Sequence, residues 1–214
     1  MKVFKNFISF EGIDFCGKST QIKLLLKKLK IFNIKIRAFR EPGGSAISEK
    51  IRDVLLDKSN NEMSPQAEIL LYSAARTQLV HEKIIPELKN GTYIIVDRFY
   101  DSTTAYQGYG RKLDLSFVNS LNLFATSELK PYKTFFIDIS PEEAEKRRKA
   151  AMFETDRIEN EGVEFYKKIR NGFLELAKKE PERFISIDGD KSPDIIAGIL
   201  WEIVIEIWDL RKLT

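Results

Sequence analysis

With 214 residues, 43% of them hydrophobic, the chain can bury one sizeable core as a single domain. A near balance of 35 basic and 32 acidic residues, net +3, argues against a dedicated nucleic-acid binder. A single cysteine excludes an intramolecular disulfide and fits a reducing, cytoplasmic setting; a single histidine excludes the histidine-rich zinc sites and gives a Ser-His pair little support.

Residues 3–10, rich in Val, Phe and Ile, predict the first strand, and Lys5, Asn6 and Glu11 break the run too often for a secretory leader. Gly12-Ile13-Asp14-Phe15-Cys16-Gly17-Lys18-Ser19 then fits G-x-x-x-x-G-K-[ST] in full. The motif needs a helix after it, and 19–29 carries Ile22, Leu25, Leu26 and Leu29 at helical spacing. Gly12 and Gly17 let the backbone wrap tightly around an anion, because neither has a Cβ. The amides from Ile13 to Thr20 and the positive end of the helix then face the phosphates of a nucleotide such as ATP. Lys18 is expected to reach the β- and γ-phosphates and the Ser19 hydroxyl to ligate magnesium. Cys16 reads as a small residue that fits the loop rather than as a nucleophile. Asp14 is an oddity there. A carboxylate beside phosphates is costly unless it binds a hydroxyl or orients a cation, which suggests a sugar hydroxyl nearby.

Residues 35–39 read as a second strand, broken by Arg40-Glu41-Pro42-Gly43-Gly44-Ser45. Residues 47–56 predict a helix with Ile47, Ile51, Val54 and Leu55 on one face, and 58–63 a polar connector. Ser64-Pro65 opens a long helix that continues to Leu88 and is closed by Asn90-Gly91. On it Tyr72 and Arg76 face the same way. They could stack a base and hold a phosphate, or be a core-edge tyrosine beside a surface arginine. His81 reads as an ordinary helix residue. The apolar run from Tyr93 to Val96 suits a strand buried on both faces, and it ends in Asp97-Arg98, where open α/β sheets bind ligands. Asp97 suits the acid that orients magnesium and its waters, and Arg98 would point at an anionic substrate.

Residues 102–110 are polar, aromatic and glycine-containing. Residues 114–126 predict a helix and 133–138 another buried strand, whose Asp138 reads as structural. Ser140-Pro141-Glu142-Glu143 opens a helix that runs into Lys146-Arg147-Arg148-Lys149. With Arg157 this run reads as a basic flap: either a solvated face or a lid that closes over the phosphates, supplies positive charge and excludes water. Residues 156–179 predict one long charged helix, 183–188 the last strand, and Ser192-Pro193-Asp194 the cap of a final helix ending near Leu210. The most apolar stretch, 195–208, holds Glu202 and Glu206 and is too short and charged to span a bilayer. Strands alternating with helices predict an α/β fold with a five-stranded parallel sheet and helices on both faces.

Taken together, these residues resemble the thymidylate kinase family over nearly the whole chain. The resemblance rests on Phe10 to Thr20, on Arg40-Glu41-Pro42-Gly43-Gly44, on Tyr72-Ser73-Ala74-Ala75-Arg76, on Asp156-Arg157-Ile158-Glu159, and most specifically on Asp97 to Gly108. It implies a single domain (1–214) with the three-layer fold of P-loop nucleoside-monophosphate kinases and a lid at about 146–157. It implies transfer of the γ-phosphate of ATP to dTMP, with magnesium as cofactor, in dTTP synthesis. Tyr72 would stack on thymine, Arg76 would hydrogen-bond the base, and Ser102, Thr103 and Gln107 would line its pocket. Tyr106 would crowd the 2′ position, Asp14 would meet the 3′-hydroxyl, and Arg98 would hold the acceptor phosphate, with Arg40 a second candidate. No basic residue directly follows Asp14, so the chain resembles the bacterial-type form, in which the lid supplies the catalytic arginines; these would be Arg147 and Arg148, working with Lys18, Arg98 and Asp14. The chain departs from close relatives at Phe15, where they often carry Gly, and at Lys149, Ala150 and Ala151, where some carry alternating arginines. The family is usually a homodimer, and neither a nucleic-acid nor a membrane partner is expected. Three other readings remain at this point: a kinase for another nucleoside monophosphate or small alcohol, a GTP-binding switch, and a catalytically dead nucleotide binder. The Asn/Thr-Lys-x-Asp guanine motif is missing, and Lys18, Ser19, Asp97 and Arg98 are intact.

Overall fold

In the computed structural model, which describes residues 1–152, 156–159 and 161–213, the five expected strands form one parallel sheet. They are β1 (Lys2–Glu11), β2 (Ile36–Arg40), β3 (Tyr93–Asp97), β4 (Leu129–Asp138) and β5 (Phe184–Asp188), in the order β2-β3-β1-β4-β5. The order reverses beside β1, so the loop after β1 opens at the switch point where such sheets bind ligands. Alternate residues of the central strands face opposite layers. Ile8, Phe10 and Ile95 pack with Ile22, Leu25 and Leu29 of α1 (Lys18–Leu29) and with Leu200 and Val204 of the last helix. Phe7, Ile94 and Val96 pack with Leu79, Val80, Ile84 and Leu88 on the other face. Burying each such side chain contributes about 1.5–3 kcal/mol, which is why β3 reads as an unbroken apolar run.

The remaining helices are α2 (Ala46–Leu56), α3 (Pro65–Leu79), α4 (Ile85–Lys89), α5 (Tyr100–Thr103), α6 (Leu115–Thr126), α7 (Pro141–Ala151), α8 (Val163–Lys179) and α9 (Pro193–Ile207). Ser45, Ser64, Asp114, Ser140 and Ser192 cap five of them through their side chains. The long helix opened by Ser64-Pro65 does continue, but through a π turn (Val80–Ile84) into α4. The turn sits just before Pro86, whose missing N–H leaves the preceding helical ladder one bond short.

Three expectations need correction. The fourth strand begins at Leu129, not 133; its pairing with β1 is irregular at Pro131–Lys133, which breaks the periodicity of its first half. Residues 100–110, with no element expected for 102–110, form α5 and a second π segment (Thr104–Gly110). The long helix expected from Asp156 starts only at Val163, with Gly162 as its cap. The Asp156 carboxylate accepts from the backbone N–H of Ile158 and of Glu159, both at 2.8 Å, closing a turn that competes with helix.

Candidate active site

The loop between β1 and α1 folds as its glycines require. Gly12 has φ 140°, and a Cβ there would lie 2.5 Å from the Ile137 carbonyl oxygen and 2.7 Å from Cys16 Sγ; Gly17 has φ 100°. Phe15 holds φ 62°, a left-handed conformation that costs a non-glycine residue roughly 1 kcal/mol or more. Lys18 is buried, its ammonium donating to the carbonyl oxygens of Gly12 (3.1 Å) and Ile13 (3.0 Å). Cys16 is buried against it. Ser19 donates from Oγ to the Asp97 carboxylate at 2.6 Å, so both expected magnesium ligands meet at the loop.

Arg98 joins this loop to a neighbouring cavity. Its backbone is left-handed (φ 69°), pinned by its N–H donating to Phe10 O at 2.9 Å. That twist at the end of β3 sends the guanidinium back over the loop. It donates to Gly12 O (2.8 Å), Ser102 Oγ (3.0 Å), Tyr106 Oη (3.0 Å) and Asp14 (2.5 Å). Asp14 also accepts from the hydroxyls of Tyr106 (2.8 Å) and Tyr166 (3.1 Å). Burial alone would raise its carboxyl, but Arg98, Lys18 and the Tyr106 hydrogen bond hold it down at about 2.

The cavity collects Asp14, Tyr72, Arg76, Arg98, Ser102, Thr103, Tyr106 and Gln107, all the expected acceptor residues except Arg40. Arg40 is half exposed and pairs with Glu49 at 2.9 Å; Arg52, one helical turn beyond Glu49 and not singled out in the sequence, lines the cavity instead. Arg76 is not a surface residue. It is buried, paired with Glu41 at 2.5 Å, and donates to Thr103 Oγ1 (2.8 Å) and the Phe99 carbonyl (3.2 Å). Glu41, Pro42, Leu56, Asp156, Ile158 and Glu159 complete the wall. Tyr166 carried no motif signal, because its partner Asp14 lies 152 positions away in sequence, and Arg52 stands in no motif.

The basic run behaves differently from its sequence pattern. On α7, Arg147 pairs with Glu143 (2.8 Å) and donates to the Gly189 carbonyl (3.0 Å), and Arg148 forms a two-pronged pair with Glu145. Arg148, Phe15 and Tyr166 line a second, smaller cavity against the loop. Arg157 belongs to no solvated flap. It is buried, paired with Glu68 at 2.8 Å and donating to the Leu55 carbonyl at 2.8 Å, because Glu68 is a fully buried carboxylate that needs cations. Residues 153–155 of the expected lid lie outside the described residues.

Beneath the loop, Glu11 is fully buried and accepts from the Phe99 N–H (2.7 Å) and from Ser102 Oγ (2.5 Å). Burial and the nearby Asp101 push its carboxyl up to about 8, against an ordinary 4.5. The folded chain therefore holds a proton that the unfolded chain has released, and this group's contribution to stability falls as pH rises from about 4.5 to about 8. Glu11→Gln should flatten that decline. Urea midpoints at pH 5.5 and 8 measure it, and an equal decline in wild type and variant would count against the assignment.

The phosphate-binding-loop motif and a cavity lined by Tyr72 and Arg76 thus meet at Arg98, the arrangement of a P-loop phosphotransferase of the nucleotide kinase class. The family model for thymidylate kinase matches residues 10–197. A thymidylate kinase from Caldanaerobacter subterraneus subsp. tengcongensis is 53% identical over 183 residues, 86% of either chain, and one from Prosthecochloris aestuarii is 44% identical over 206 residues, 92% of either. The crystal structure of thymidylate kinase from Ehrlichia chaffeensis superposes with a TM-score of 0.75 at 30% identity, covering 95% of this chain and 99% of that one. The chain belongs to the thymidylate kinase family, ATP-dependent nucleoside monophosphate kinases that phosphorylate dTMP to dTDP.

Proposed function

We propose that residues 1–214 act as one catalytic domain in which Arg98 positions the phosphate of dTMP for in-line attack on the γ-phosphorus of ATP. The observation that carries this reading is the reach of one guanidinium to both seats: Gly12 and Asp14 on the loop, Ser102 and Tyr106 in the cavity. An oxygen of the dTMP phosphate forms the new bond, the bond from the γ-phosphorus to the β–γ bridging oxygen breaks, and ADP leaves. The acceptor phosphate is already anionic, so no general base is required. The loop amides and Lys18 hold the β- and γ-phosphates, with Lys18 turning from its own loop carbonyls to them.

Magnesium fits the donors present. Ser19 and Asp97 are hard oxygen ligands already in contact, whereas the described residues contain no group of three or more His, Cys, Asp or Glu able to hold an ion alone. Nucleotide phosphates and waters would complete its shell, and the bound ion would neutralise phosphate charge.

Tyr72 stacks on the thymine, Arg76 and Gln107 read its edge beside Ser102 and Thr103, and Tyr106, with its hydroxyl on Asp14, crowds the 2′ position. Asp14 is the acceptor for the 3′-hydroxyl, and Arg52 replaces Arg40 as the second cation of the acceptor seat. Arg148, at the loop-side cavity, is the better placed of the two α7 arginines to leave its carboxylate for the transferring phosphoryl. Arg147 is held away, toward Gly189. Exposed Leu70 of α3 and Phe117, Leu123 and Phe124 of α6 support a homodimer face. No described helix is long and apolar enough to cross a membrane, and a cytoplasmic enzyme of dTTP synthesis is the setting this reading implies.

ADP release with ATP and magnesium, compared across dTMP, dUMP, UMP, AMP and dGMP, tests the acceptor assignment; turnover confined to an acceptor other than dTMP would discard the base-pocket roles. Tyr72→Ala should raise the KM for dTMP about tenfold, the loss of one stacking contact, and lower kcat less. An unchanged KM removes the stacking role.

A further inference from the structure

A single buried carboxylate joins the base cavity to the turn that follows α7. Glu68, on α3 and 0% exposed, faces the Gln107 side-chain amide at 2.9 Å through Oε1 and pairs with Arg157 at 2.8 Å through Oε2. Arg111 donates to both oxygens at 3.1 Å. Burial would raise this carboxyl, but the hydrogen bonds from Arg111 and Gln107 outweigh it and hold the group below its ordinary value. An ionised carboxylate only accepts, so the Gln107 atom facing it must be the nitrogen. That settles the other end of the amide. Gln107 lines the acceptor cavity, and among the described residues no donor reaches its side-chain oxygen.

We propose that Glu68 is the positioning residue for base choice: by gripping the Gln107 nitrogen, it fixes the Gln107 oxygen toward the cavity as an obligate acceptor. The inference rests on the cavity being the base seat. An acceptor there suits thymine, whose N3 carries a hydrogen, and opposes cytosine, whose N3 presents a lone pair. Without the carboxylate the amide can rotate and offer either end, and discrimination falls. Arg157 grips the second oxygen of the same group, so the turn after the lid helix keeps Glu68 in place.

The test compares kcat/KM for dTMP and dCMP, at saturating ATP, in wild type, Glu68→Gln, Glu68→Asp and the double variant E68Q/Q107E. Wild type should strongly prefer dTMP; if it does not, the base-seat reading fails before the role of Glu68 is in question. Glu68→Gln should lower the dTMP-to-dCMP ratio by about tenfold or more, the scale of one unmade buried hydrogen bond, with little change in the KM for ATP. Glu68→Asp keeps the charge near the arginines but withdraws it from Gln107 by one methylene. It should lower the ratio too, and it decides the matter if Glu68→Gln does not fold. In the double variant the amide at 68 donates to the carboxylate at 107, whose second oxygen still accepts from the base, so the ratio should return toward wild type. A merely structural role would lower Tm and both kcat/KM values together. An unchanged ratio in a folded Glu68 variant overturns the proposal.

Discussion

Replacing Arg98 with alanine should cut dTMP turnover by roughly 10³-fold while leaving ATP binding nearly intact. Among the described residues the guanidinium is the one cation whose hydrogen bonds span the loop and the neighbouring cavity, and its position depends on a left-handed backbone pinned to Phe10. Phosphoryl transfer asks the protein mainly for positioning and charge, so losing a group proposed to align the acceptor should remove stabilisation realised in the transition state. ATP should notice little, because Lys18, Ser19 and the loop amides remain. Arg98→Lys should recover only part of the rate, since a single ammonium cannot reproduce contacts that a planar fork makes with Gly12, Ser102, Tyr106 and Asp14. Steady-state kinetics beside calorimetric ATP binding separate the two effects; equal losses of turnover and of ATP affinity would contradict the acceptor role.

The second large effect concerns stability. Asp101 is fully buried and accepts from both terminal nitrogens of Arg183, at 2.6 and 2.8 Å. Arg183 is itself buried and also reaches Thr134 and Glu180. Asp101→Ala leaves a buried guanidinium with, among the described residues, only the half-buried Glu180 to balance it. The expected cost is about 3 kcal/mol, the low end for breaking such a pair because Glu180 remains. For a chain of this size that lowers Tm by roughly 6–12 °C in differential scanning calorimetry. Because the charge of Asp101 helps to keep Glu11 protonated, the variant should also lose part of the stability decline between pH 4.5 and 8. A Tm within about 2 °C of wild type would show that solvent, not Asp101, satisfies Arg183.

The loop, the Asp97-Arg98 pair and the five strands were legible because their signals are local: fixed spacing, apolar runs, glycine and proline breaks. The cavity beside the loop was gathered mainly through resemblance, since nothing in the periodicity of α3 separates Tyr72 and Arg76 from ordinary helix residues. What escaped depends on contacts between distant segments. Tyr166 meets Asp14 across 152 positions. Arg157 looked like part of a solvated run until Glu68, on a different helix, drew it inward. The helix expected from Asp156 lost to a side-chain turn whose strength no charge or hydrophobic pattern reveals. Arg40 and Arg52 show the same limit: both are basic and close in sequence, and only the Pro42 turn and the Glu49 contact decide which of them faces the cavity.

Lys18 and Ser19 rest on the protein's own atoms, two loop carbonyls and the Asp97 carboxylate. An incoming nucleotide therefore competes with partners already in place, and a departing one leaves no bare ammonium or hydroxyl behind. Affinity at this seat is a difference between two satisfied states rather than the full strength of the phosphate contacts. Such a loop binds any nucleotide less tightly than its phosphate contacts alone would allow.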